Sequence, residues 1–412
     1  YMDKVIYTEI PGGVCAAEGF KAYGIHAGMR KNAAKLDLAM IVADDLCNAA
    51  GVYTSNKVKG APVIVTKNNL AKSGGKAKAV IANSKNANTC NADGEEKALE
   101  MCRLTADALG IEPEQVIVAS TGVIGQILPI EPIREAVPQL VEKLSYEGNL
   151  EAATAIMTTD TVKKEYAVEF EIGGKVCRMG GMAKGSGMIH PNMATMLVFI
   201  TTDTAISSEM LQKALSSDIQ NTFNMVSVDG DTSTNDMVAV MANGLAGNEE
   251  IKAEGKAFDA FMKALNTVTV HLCRMIAGDG EGATKLLECR VTGASDEATA
   301  KTVAKSVICS SLTKAAMFGA DANWGRVLCA IGYSGAEVDV TKVDVSFTSA
   351  KGTIPVCKDG SGVDFSEELA KEILLEKEII INIELNSGNG SSTAWGCDLT
   401  YEYVKINGDY RT

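Results

Sequence analysis

A threonine hydroxyl attacks a carbonyl only when a base lies beside it, and one way to supply that base is to make the threonine an N-terminus. Its own α-amine, with a reference pKa of about 7.7–8.0, then accepts the hydroxyl proton near neutral pH. Thr195 stands in a stretch suited to this, "AKGSGMIHPNMATMLVFITTD" at 183–203. Exposing its amine requires the Ala194–Thr195 bond to break. The hydroxyl would attack the Ala194 carbonyl to form an ester, which water then opens. A small residue before the threonine and a Gly/Pro-containing segment upstream make such a bond accessible, and the apolar run "TMLVFI" would anchor the new terminus. Taken by itself, an Ala-Thr pair at this place more often just opens a strand.

Other chemistries find less in the chain. The three histidines, His26, His190 and His271, stand at no metal-ligand spacing from one another or from a cysteine, so no metal site is expected. There is no GxxxxGK[ST], and "GDGEG" at 278–282 lacks the dinucleotide pattern. Ser186 lies in Gly-Ser-Gly, but Lys184 stands where a nucleophile elbow needs its first glycine. His190 could serve a nucleophile as base, although a lone loop histidine is more often simply solvated.

The elements that must position these residues alternate irregularly. "APVIVT" (61–66), "KAVIAN" (78–83) and "QVIVAST" (115–121) read as strands by their Val and Ile content. "GEEKALEMCRLTADALG" has helical apolar spacing and a glycine stop, and "EPIREAVPQLVEKL" and "LEAATAIMTTD" read as helices, the former with Pro138 as an irregularity. "EYAVEFEIGGKVCRMGGMA" reads as a hairpin on a Gly-Gly turn. Helices are expected around 207–224 and 254–277, and a single one over 296–317. A hairpin of "KVDVSF" and "TIPVCK", the helix "SEELAKEILL" and the strand "EIIINIEL" follow. Strands and helices in runs predict an α+β protein of stacked sheets with helices outside, rather than a doubly wound fold.

Composition sets outer limits. At 412 residues, with 46% hydrophobic and 22% charged residues, the chain has ample length for a large core, in two lobes or one double-layered domain. The net charge of −13 falls almost wholly after residue 194, and no long basic run survives, which argues against a nucleic-acid partner. No apolar run approaches the ~20 residues that span a bilayer, and the first residues carry no basic-then-apolar leader pattern. Eleven cysteines without a CxxC pair suggest thiols used as small apolar groups in a reducing, cytoplasmic setting.

"KGSGMIHPNMATML" resembles the signature of the ornithine acetyltransferase family, the glutamate N-acetyltransferases of arginine biosynthesis. "GFKAYGIHAGMRKNAAKLDLAMI", "VIVASTGVIGQILP", "MTTDT", "SVDGDTSTND", "AGDGEGATK", "GADANWGR" and "NGDYRT" are similar to that family in order, over essentially the whole chain. The resemblance implies a self-cleaving precursor with an α chain of residues 1–194 and a β chain of 195–412, assembled as α2β2. It implies an αββα sandwich like that of N-terminal-nucleophile enzymes, in two lobes. The implied reaction moves an acetyl group from N2-acetyl-ornithine to glutamate by a ping-pong route through acetyl-Thr195. No bound cofactor is implied, and acetyl-CoA is a second donor in some members. By the same resemblance Thr121 and Gly122 match the oxyanion hole, and Thr158 (with Thr159 beside it), Lys184, Glu281, Asn407 and Thr412 match substrate contacts. The competing reading is a self-processing aminopeptidase or amidase of related architecture.

Overall fold

The computed structural model describes residues 7–190 and 196–410. Strand Leu38–Tyr53, sixteen residues long, organises the first lobe. Its first half pairs with Phe20–Ile25 and Lys76–Asn83, and its second half with Met237–Ala242. Between Val42 and Cys47 the register slips, and Asp44, Asp45 and Leu46 are exposed there. A bulge of this kind bends a strand. One hydrogen-bonded ladder thus turns into two layers. The first holds Phe20–Ile25, the start of the long strand, Lys76–Asn83 and Val116–Ser120. The second runs from the end of the long strand through Met237–Ala242, Leu197–Thr202, Lys175–Lys184 and Lys164–Ile172 to Thr8–Glu9.

Side-chain alternation then stacks the layers. Ala39, Ile41 and Ala43 of the first layer share a core with Leu197, Phe199, Met237 and Met241 of the second. Leu38, Met40 and Val42 point the other way, into a core with helices Ala61–Lys72, Gly94–Leu109 and Ile130–Lys143. Val198 and Ile200 join helices Ser208–Ile219 and Lys256–Gly278 on the far side. The order is helices, two β layers, helices, as expected.

The second lobe is a six-stranded sheet in the order Ser361–Gly362, Gly352–Lys358, Asp344–Ser349, Glu378–Glu384, Leu286–Ala294, Gly390–Cys397. Helix Lys256–Gly278 touches strands of both sheets, and helix Glu297–Cys309 covers Leu286–Ala294 and Gly390–Cys397. Strand Glu378–Glu384 buries Ile379, Ile381 and Ile383 on one face, the alternation its sequence carries. The Gly173–Gly174 hairpin forms as expected, both glycines at positive φ (56° and 77°) as a two-residue turn requires. No helix among the described residues is long and apolar enough to cross a membrane.

Two sequence expectations fail. "APVIVT" is the start of helix Ala61–Lys72, not a strand. Pro62 sits in its first turn, where a missing N–H costs nothing. The Thr66 hydroxyl, buried on this helix, donates to the Val118 carbonyl (2.7 Å) and accepts from the Val118 N–H (2.9 Å). Tertiary contact thus outweighs β propensity. The single helix expected over 296–317 is two, Glu297–Cys309 and Ser311–Phe318. Ser310 ends the first in extended geometry and caps the second by accepting from the Thr313 N–H.

Candidate active site

Strand Lys175–Lys184 runs antiparallel to Leu197–Thr202 and delivers Lys184, its last residue, into the interior. Only 2% of Lys184 is exposed. Its Nζ donates to the hydroxyls of Thr158 (2.8 Å) and Thr121 (3.2 Å), with Asp160 Oδ1 at 3.9 Å. Burial lowers the Lys184 pKa, and the Asp160 carboxylate works against that. Asp160 is itself tied down. One oxygen accepts from Lys164 Nζ (2.7 Å) and the Gly185 N–H (2.8 Å), the other from the Thr158 N–H (3.2 Å). Burial would raise its pKa, but the Lys184 and Lys164 ammoniums prevail and hold it at about 2. Lys164 also bonds Asp279 at 2.7 Å. A buried lattice of alternating charge therefore underlies Lys184.

Thr121 and Gly122 follow strand Val116–Ser120. The Thr121 N–H continues the ladder to the Asn83 carbonyl (3.0 Å), which fixes where its side chain starts. Gly122 has φ of 137°, and a Cβ there would fall 2.1 Å from the Lys85 carbonyl carbon, so only glycine makes this turn. Because Thr121 accepts from Lys184, its own hydroxyl proton is directed elsewhere.

Glu281 lies in the loop after helix Lys256–Gly278. Its carboxylate accepts from the Thr159 hydroxyl (2.8 Å) and from Asn407 Nδ2 (2.6 Å) on the C-terminal helix Tyr401–Asp409. Its backbone N–H donates to the Ser186 carbonyl (2.8 Å). The carboxylate rests on Gly187, where a Cβ would come within 2.1 Å of Oε1. Thr121, Gly122, Thr158, Lys184, Glu281 and Asn407 line one cavity of about 100 Å³, together with Thr159, Ser233–Asn235 and Tyr410. Six of the site residues expected from the sequence thus meet in one place. Ala194, Thr195 and Thr412 lie outside the described residues. Thr158 and Thr159 both belong, one facing the cation and the other the carboxylate.

Two carboxylates of "SVDGDTSTND" hold the chain on either side of 191–195. Asp229 accepts from the N–H groups of Met188 (2.8 Å) and Ile189 (2.9 Å), and Asp236 from the N–H of Met196 (2.8 Å). Sequence reasoning assigned no role to either, nor to Asp160, Lys164 or Asp279. Their spacing carries no signal, since they meet only through the ladder. His190 does not line the cavity. Its Nδ1 lies 3.2 Å from the Ser227 hydroxyl and 3.5 Å from Cys309 Sγ, and burial lowers its pKa.

The ArgJ family profile matches residues 21–412. The arginine biosynthesis bifunctional protein ArgJ of Caldanaerobacter subterraneus subsp. tengcongensis is 50% identical over 404 residues, covering 98% of this chain and 99% of its own. The protein of the same name from Symbiobacterium thermophilum is 51% identical over 405 residues, with the same coverage. Among solved structures, ornithine acetyltransferase complexed with ornithine from Mycobacterium tuberculosis is 35% identical, with a TM-score of 0.41, covering 45% of this chain and 98% of that one. By the profile and these two relatives, the chain belongs to the ArgJ family.

Proposed function

We propose that this enzyme, an acetyltransferase of arginine biosynthesis, moves an acetyl group from N2-acetyl-ornithine to glutamate through acetyl-Thr195. The observation that carries the site assignment is the meeting of Lys184, Thr121, Thr158 and Glu281 around one cavity, at the end of the strand paired with Leu197–Thr202. Both substrates are amino acids, so one pocket must hold an α-carboxylate while admitting different side chains. An ammonium has three donors, and Lys184 commits two of them to threonines. The third is assigned to the substrate carboxylate. Glu281 is assigned to a substrate ammonium, with Asn407 and Thr412 of the C-terminal tail closing the pocket. Thr121 and the Gly122 N–H are assigned to the developing oxyanion.

In this reading Thr195 becomes a nucleophile by cleavage of the Ala194–Thr195 bond, giving chains 1–194 and 195–412 that pair as α2β2. All eleven cysteines are free and most are buried, which supports a cytoplasmic setting. No bound cofactor is needed, and acetyl-CoA is proposed as a second donor. The test uses purified protein. It should run as two fragments, the second beginning TMLVFI, and Thr195→Ala should stay whole. Acetyl-ornithine alone should leave the β chain one acetyl group heavier, and glutamate should discharge it as N-acetylglutamate. Discharge to acetate at the same rate with or without glutamate would instead mark a hydrolase. N-acetylglutamate formed from acetyl-CoA would establish the second donor.

A further inference from the structure

Asn235 is 6% exposed and stands in the cavity wall, just ahead of strand Met237–Ala242. A side-chain amide has two N–H donors and an oxygen with two lone pairs, and here all four are used. Nδ2 donates to the Ala87 carbonyl (2.7 Å) and to the Ser120 carbonyl (2.9 Å). Oδ1 accepts from the Thr89 hydroxyl (2.7 Å) and from the Thr234 hydroxyl. A carbonyl only accepts, so the amide has a single workable orientation. Its two carbonyls lie on paired segments. Ser120 ends its strand and leads into Thr121, while the stretch around Ala87 pairs with the turn that follows. There the Val123 N–H donates to the Lys85 carbonyl (3.1 Å) and the Ala87 N–H to the Val123 carbonyl (3.0 Å). One NH2 group thus staples both sides of the turn that carries Thr121 and Gly122. The amide is itself wedged, since a Cβ on Gly60 would fall 2.6 Å from Asn235 Oδ1.

Ser120 belongs to the first β layer, and Asn235 leads into a strand of the second. Lys184, also from the second layer, reaches across to the Thr121 side chain, and Asn235 reaches across to the backbone that carries it. An oxyanion donor works at ~2.7–3.1 Å from the charge it meets, and a misplacement of about 1 Å can cost ~100-fold. A turn with two such donors must therefore be held more closely than an ordinary loop. We propose that Asn235 is the positioning residue of this turn, its amide fixing where the Thr121 hydroxyl and the Gly122 N–H point during acetyl transfer. The inference rests on the assignment of those two donors to the oxyanion. Asn235 touches no reacting atom in this role and acts only through the Ser120 and Ala87 carbonyls.

The test follows a single turnover, with acetyl-ornithine and no glutamate, by the mass of the cleaved β chain. Asn235→Asp keeps the shape but sets an oxygen against two carbonyls. Its limiting acetylation rate should fall ~10–100-fold. The half-saturating acetyl-ornithine concentration should stay within about twofold of wild type, because Lys184, Thr158 and Glu281 keep their bonds. Gly60→Ala approaches the same amide from a distant part of the sequence. Gly60 has φ of −61°, which alanine adopts freely, so the added methyl acts by displacing Asn235. This variant should also slow the limiting rate severalfold, and it carries the test if Asn235→Asp fails to fold or to mature. In a Thr121→Ala background the same change should cost less than in wild type, since one of the donors it misplaces is already gone. A wild-type limiting rate in either variant, a loss confined to half-saturation, or an undiminished Gly60→Ala effect beside Thr121→Ala would each overturn the proposal. If Thr121→Ala alone kept the wild-type rate, the oxyanion assignment itself would fall instead.

Discussion

At the scale of single residues, Lys184 is bound to the machinery it serves. Its donation to Thr121 leaves the threonine proton free, so under the proposed function one cation would both hold a carboxylate and orient a donor. In a fully cleaved enzyme, Lys184→Ala should raise KM for acetyl-ornithine and for glutamate, and should also lower kcat. Thr121→Ala should act mainly on kcat, by the ~10²–10³ that a lost oxyanion donor costs. Because the two share a hydrogen bond, the double variant should lose less than the product of the singles. An unchanged KM for both substrates in Lys184→Ala would refute the carboxylate assignment. Gly187 offers a second check. The three atoms nearest a Cβ there all belong to the Glu281 carboxylate, so Gly187→Ala should displace that carboxylate and impair turnover severalfold. Its thermal midpoint should move little, since a flexible side chain and not the backbone gives way.

At the scale of elements, the support beneath the site is electrostatic. The Asp160 pKa is depressed to about 2, so this group stabilises the fold fully above the unfolded carboxylate value of ~3.9, and that stability fades as pH falls toward 2. Asp160→Asn leaves Lys164 with Asp279 alone and removes the carboxylate 3.9 Å from Lys184, a loss of roughly 3–5 kcal/mol for a broken buried pair. In urea at pH 7 the variant should unfold well before the wild type, and the gap should narrow below pH 4. An equal gap at pH 7 and pH 2.5 would show that charge is not the cause.

Elements also mark what the sequence made legible. Periodicity placed the helices Gly94–Leu109 and Lys256–Gly278 and the Gly-Gly hairpin, where local pattern and tertiary demand agree. It failed at Ala61–Lys72, where a run of β-branched residues is helical because Thr66 is needed against Val118. It also missed the break at Ser310, whose capping role shows only in backbone geometry. The site residues Lys184, Thr121 and Glu281 were found by resemblance, not by spacing. The acids beneath and beside them, Asp160, Asp229 and Asp236, read as ordinary loop acids until the ladder joins segments far apart in sequence.

At the scale of the whole molecule, one bent strand serves both β layers, and one helix touches both sheets. Opening either layer exposes a shared core, so the first lobe should unfold in a single transition, with circular dichroism and intrinsic fluorescence tracing the same curve. Two resolved steps would contradict this. Leu197–Thr202 is the feature with the longest reach, since it is hydrogen-bonded to Lys175–Lys184 on one side and Met237–Ala242 on the other. A cut between 194 and 195 would leave every one of those bonds in place while changing the order of the refolding reaction. An uncut chain finds its partners within itself, at a rate indifferent to dilution. Two separate chains must first meet, so their recovery from denaturant should fall as protein concentration falls. Uncleaved Thr195→Ala should regain its native signal with a weaker dependence on dilution than cleaved wild type, because its two segments stay joined. Maturation would then act as a ratchet: a chain that folds once with ease, and that loses the easy way back.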